Sequence, residues 1–98
     1  MKVVFDAPMW RWAAREDSWF FVTLPEVDSE EIRSRGSSAG FGSVKVTATV
    51  GELTWSTSVF PEDGGRSYVL PLKALVRKRN DLEEGDVVHV SLEVHPPR

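Results

Sequence analysis

The sequence contains no cysteine. Disulfides, thiolate catalysis and cysteine-ligated zinc are excluded together. Histidine is nearly as scarce, with only His89 and His95. Six residues apart on one extended run, they stand roughly 20 Å from each other. A single metal, whose bonds to nitrogen are about 2 Å, cannot bridge them. Two solvent-facing histidines on a polar strand face are the expectation. No apolar run approaches the roughly 18–20 residues of a membrane span. The start, MKVVFDAPMWRW, meets Asp6 and Pro8 before the apolar stretch of a signal peptide can build. Positive charge is also short: the formal net charge is −3 and the pI about 5.3. Counterion release needs a dense basic footprint, so bulk affinity for nucleic acid or an anionic membrane is not expected. These absences point to a cytoplasmic protein with no cofactor and no bound metal.

What is present suits one small domain spanning residues 1–98 with a single modest core. Four Trp and five Phe are many for this length, so aromatics must supply much of that core. Residues 2–6 read as a strand that Pro8 interrupts. The run MWRWA, with Trp10 and Trp12 on one face, reads as a second extended piece. Asp17-Ser18 then turns into 19-WFFVTL-24, apolar on both faces and therefore expected to be buried on both. A short helix over 29–35 follows, capped by Asp28 or Ser29 and with Glu30-Glu31 against its dipole.

The clearest signal is 44-VKVTATVGELTWSTSVF-60. Val44, Val46, Ala48 and Val50 alternate with polar residues, and Gly51-Glu52 suits a two-residue type II′ turn. That turn fixes the register: Val50 opposite Leu53, Ala48 opposite Trp55, Val46 opposite Thr57, Val44 opposite Val59. Trp55 is expected in the core. Pro61 ends the hairpin, and Arg66–Leu70 forms a short strand. Pro71 opens a helix with Leu72, Leu75 and Val76 facing inward, and Asn80 closes it. Asp86–Val94 is the last strand, with Asp86 shaping its entry. Many short strands with two brief helices predict a mainly β protein, a small closed or nearly closed barrel.

Several motifs occur in a fixed order: 40-GFGSV-44, 55-WSTSVFP-61, 68-YVLPLKALVR-77 and 82-LEEGDVVHV-90, with 19-WFFVTLP-25 ahead of them. In this the chain resembles the bacterial domain-of-unknown-function 1905 family across nearly its whole length. The resemblance implies a six-stranded barrel of double-psi kind. The segment Leu82–Val90 is also similar to a turn of swapped-hairpin transcription regulators and other cradle-loop barrels. It supplies no catalytic or binding set to carry over. Some relatives bear an extra helical domain linked to bacteriocin protection, an association not expected to transfer here.

The candidate chemistry is sparse. The stretch 36-GSSAGFGSVK-45 invites comparison with a phosphate loop but lacks the Gly-Lys-Ser/Thr ending and leads into a strand, leaving a mobile connection or, less favoured, an anion nest. Glu62-Asp63 and the Asp81–Asp86 acids read as turn chemistry. Trp10, Trp12, Trp19 and Trp55, with Arg11 and Arg15, could stack bases, against the acidic total charge. The cations are more informative, since no acid falls between residues 66 and 79. Lys73 and Arg77 share a helix face, Arg66 lies nearby, and Ser58 joins them if the chain folds back. These four residues are the candidate ligand-binding set, for an anionic small ligand or an acidic protein segment. The competing reading is a solvated helix face with Arg77 paired to Glu83-Glu84. A non-catalytic binding module, monomeric or weakly dimeric, is expected ahead of a nucleic-acid-binding regulator of swapped-hairpin type or an enzyme of unknown reaction.

Overall fold

A computed structural model describes residues 1–14, 17–35 and 42–95. The elements run β1 (Lys2–Ala14), β2 (Asp17–Thr23), α1 (Glu26–Arg35), β3 (Val44–Val50), β4 (Leu53–Glu62), β5 (Ser67–Pro71), α2 (Ala74–Arg79) and β6 (Val87–Val94). The strands close into a barrel in the order β1-β2-β5-β4-β3-β6, with every ladder antiparallel. Closed and six-stranded is what these ladders show; the double-psi refinement they do not show. No helix among the described residues is long and apolar enough to cross a membrane.

Alternation explains the core. Val3, Phe5, Ala7 and Met9 of β1 point inward, as do Val88, Val90, Leu92 and Val94 of β6. Val44, Val46, Ala48 and Val50 complete the wall from β3, and the predicted β3–β4 register is found pair for pair. Gly51 has φ 60°, the positive value that the first central position of a type II′ turn requires.

Prolines correct the strand reading. Pro8 does not break the first strand: β1 is one strand of 13 residues whose first half pairs β6 and whose second half pairs β2. The Met9 N–H donates to the Asp86 carbonyl and the Met9 carbonyl accepts from Gly85 N–H. Odd-numbered β1 residues therefore bond toward β6, and the Pro8 nitrogen faces β2, where that ladder has stopped at Met9↔Val22. Pro61 lies inside β4, its nitrogen toward β3, just past the last β3–β4 pair Val44↔Val59. Pro71 is the last residue of β5 and does not open the helix; its nitrogen faces β4, where pairing has ended at Phe60↔Val69. Each proline sits where its missing N–H costs no ladder bond. Each ends a ladder, and Pro8 and Pro61 do so without ending a strand.

The helices also differ from expectation. Helix α1 starts three residues earlier than the predicted 29–35, with the Pro25 carbonyl accepting its first bond from Ser29 N–H. Ser29 is thus inside the helix, fully buried, and its hydroxyl accepts the Tyr68 N–H of β5 at 3.0 Å. Ser29→Ala leaves that buried donor without a partner. A loss of about 1–3 kcal/mol is expected in urea unfolding, whereas Ser34→Ala on the exposed face should change little. Helix α2 begins at Ala74, with Lys73 as the extended residue before it. Leu72 and Val76 are buried as expected, but Leu75 is half exposed. Asn80 closes the helix through Nδ2, which donates to the Val76 carbonyl at 3.0 Å. Asp86 holds the entry to β6 by accepting the Glu83 N–H at 2.8 Å.

Candidate functional site

Strand β5 is shorter than its neighbours. Its ladder with β2 ends at Phe21↔Pro71 and its ladder with β4 at Phe60↔Val69. Past those points β2 and β4 run on without a strand between them. Pro71 explains the break toward β4, because it has no N–H to give the next carbonyl there, that of Ser58. The result is a slot of about 270 Å³ in the barrel wall. Ser18, Trp19 and Phe20 of β2 form one side, and Trp55, Ser56 and Thr57 of β4 the other. Pro71, Leu72, Lys73 and Arg77 close the end in line with β5.

Both cations of the slot lie against aromatic rings. The Lys73 ammonium is 5.9 Å from the centre of the Trp55 ring. The Arg77 guanidinium carbon is 4.1 Å from the centre of Phe20. Such stacking favours the cation through the negative face of the ring, by about 0.5–2 kcal/mol. Arg77 Nε donates to the Leu72 carbonyl at 3.1 Å. That bond and the Phe20 ring fix the plane of the guanidinium and leave its two terminal amino groups for another partner. Among the described residues neither Lys73 nor Arg77 meets a carboxylate. The expected pairing of Arg77 with Glu83-Glu84 is therefore not made; the arginine is held by a ring and a carbonyl. On the rim, Arg11 Nε donates to Ser18 Oγ at 2.9 Å.

Of the four residues anticipated as a site, the fold brings two together. Lys73 and Arg77 line the slot, although Lys73 precedes the helix rather than sharing its face. Ser58 lies one step beyond the lining residue Thr57, half-buried and paired with Lys45 of β3. Arg66 is exposed before β5, five residues upstream of Pro71 and so roughly 16 Å away along an extended strand. Of the aromatic members, Trp19 and Trp55 were weighed only as part of a base-stacking set, apart from the cations, and Phe20 was not anticipated. Trp55 packs against the core but is only half-buried, with one face given to the slot.

Elsewhere the outcome is plainer. Neither Trp10 nor Trp12 enters the core or lids it. Trp10 lies half-buried on the outer wall, its ring 5.0 Å from Phe21 and its Nε1 donating to Thr23 Oγ1 at 2.8 Å. Trp12 and Trp19 face each other across β1 and β2, each about half exposed. The run 19-WFFVTL-24 is consequently covered on one face only. His89 is exposed and meets Asp6 Oδ1 at 2.6 Å, while exposed His95 meets Thr47 Oγ1 at 2.8 Å. No cluster of His, Asp and Glu suited to a metal occurs among the described residues. The anion-nest stretch falls mostly on residues 36–41, and Arg15 of the stacking set is at position 15; both lie outside the described residues.

Residues 5–92 match the family described as domain of unknown function (DUF1905). The chain belongs to the DUF1905 family. The match covers four of the barrel strands in full, most of β1 and β6, and both helices, so the slot lies wholly within the family region. No curated protein matches the chain. For this DUF1905 barrel the chemistry of the slot is therefore the direct guide to function: two cations, three aromatic rings and small hydroxyls, with no carboxylate or histidine in its lining among the described residues.

Proposed function

We propose that this DUF1905 barrel is a binding module rather than an enzyme, and that its slot takes an anionic group carried on an apolar body. One observation carries the reading: Lys73 and Arg77, free of carboxylate partners among the described residues, stand over Trp55 and Phe20 in the same slot. A guanidinium held flat at Nε presents a forked pair of donors that matches a carboxylate or phosphate in two parallel bonds. The Trp19 and Trp55 rings supply the apolar surface beside it. The hydroxyls of Ser18, Ser56 and Thr57 add orientation. Among the described residues the lining holds no carboxylate or histidine to pair with Lys73 as acid and base, which supports binding over reaction.

Thermal shift with benzoate, indole-3-acetate and phenyl phosphate tests the reading. A ligand present at a hundred times its Kd adds about 2.7 kcal/mol, or on the order of 10 °C in a domain of this size. Lys73→Met with Arg77→Met keeps the apolar stems and removes both charges. The double variant is expected to stay folded, with a melting point lowered by the lost ring contacts, yet show no ligand-induced rise. A double variant that cannot fold would mark the pair as structural, and an undiminished rise would move the binding elsewhere.

A further inference from the structure

We infer that the natural occupant of the slot is the carboxyl-terminal end of an extended polypeptide, which completes the barrel wall where β5 stops. This rests on the anion-binding reading above and names the ligand class. The main chain carries the argument. The two-residue turn closes on Val50↔Leu53, so odd-numbered β4 residues bond toward β3 and even-numbered ones face the slot. Ser56 therefore turns its N–H and C=O into the slot. On the other side the Phe20 carbonyl accepts Leu72 N–H, which places even-numbered β2 residues, Ser18 among them, toward the slot as well. Beyond Leu72, the Ser18 edge of β2 and the Ser56 edge of β4 thus both turn toward the slot, and edges of this kind recruit an extended peptide.

Charge sets the polarity of that peptide. A segment in line with β5 runs its end against Leu72 and Lys73, beside Arg77. An amino terminus there would meet two cations, whereas a terminal carboxylate meets the forked donors of Arg77. Each wall contributes three strand residues, roughly 10 Å of extended chain, and at Phe20 the place is already taken by Leu72, leaving about two residues for a peptide end. The apolar surface also continues outward from Trp19 to its cross-strand neighbour Trp12, each about half exposed. That wall is more than a small acid would cover and suits the apolar side chains of a peptide leaving the slot.

The experiment is a titration of the whole chain by tryptophan fluorescence, since Trp19 and Trp55 line the slot. The probes are acetyl-Val-Thr-Val-Leu with a free carboxylate, the same peptide amidated, and benzoate. The free acid is expected to bind roughly ten- to a hundredfold more tightly than the amide, the value of a charge-assisted pair. Arg77→Met should bring the acid to the level of the amide. Methylating the peptide nitrogen of the penultimate residue, which deletes a ladder donor, should weaken the acid while leaving benzoate unaffected. Acid and amide binding alike would overturn the terminal-carboxylate inference. Benzoate binding as tightly as the peptide acid would overturn the peptide and leave the anion-binding reading standing. If neither benzoate nor peptide shifts the fluorescence, both readings fall.

Discussion

Leu70→Ala is expected to cost about 2–5 kcal/mol. Leu70 is fully buried in β5, the shortest strand, and pairs with Val22 of β2, itself fully buried. Removing its branched end loses the transfer energy of the deleted atoms and leaves a cavity that a closed barrel cannot easily collapse. A domain of this size holds only some 5–15 kcal/mol in total. At about 4–8 °C per kcal/mol, a fall in melting temperature on the order of 10–30 °C follows. Leu75→Ala is the matched control. It removes the same atoms from a position 48% exposed on α2, so a change within about 0.5 kcal/mol is expected. Urea midpoints with unchanged slopes would report both as stability effects. Equal losses at the two positions would contradict the assignment of Leu70 to the core and Leu75 to the surface.

That contrast marks where the sequence was readable and where it was not. The β3–β4 hairpin was legible to the residue because two independent signals coincide there: strict alternation and a glycine at the position needing positive φ. The last strand was legible for the first of those reasons. Leu75 was misplaced because a helical apolar spacing says which residues share a face, not how wide the buried stripe is on a helix of six residues. The first strand was misread at Pro8 although Val3, Phe5, Ala7 and Met9 alternate straight through it. A proline shows only that one ladder ends, and which neighbour it faces is settled by the closed barrel. Pro61 and Pro71 were misread on the same grounds.

For the site, the cations were visible as an acid-free run, and Lys73 and Arg77 do meet in one slot. Their aromatic partners were not, because Phe20 and Trp55 come from strands that β5 separates in the sheet order. The slot itself is a difference in strand length across three elements. Pro71 was its one trace in the sequence, and that trace read equally well as a helix start.

Gly51→Val is the second substitution with a large expected effect, because it loads strain onto the helix that carries Arg77. Gly51 has φ 60°, and a side chain there costs about 1–2 kcal/mol in the left-handed region. A Cβ at this position also collides with Asn80 Oδ1. Asn80 must then move, and its Nδ2 bonds to the Val76 carbonyl at 3.0 Å and the Val50 carbonyl at 3.4 Å are at risk. Each is worth about 0.5–1.5 kcal/mol net, so a total of about 2–5 kcal/mol is expected from urea unfolding. A double-mutant cycle with Asn80→Ala separates the parts. With the amide gone the collision disappears, and Gly51→Val should then cost only the backbone share of about 1–2 kcal/mol. Full additivity would mean that the turn and the helix end are not in contact. Binding should follow the same division. Arg77 is held by Phe20 and by Leu72 just ahead of α2, so fraying from Asn80 should weaken an anion in the slot less than removal of the guanidinium, which should bring an acid down to the level of its amide.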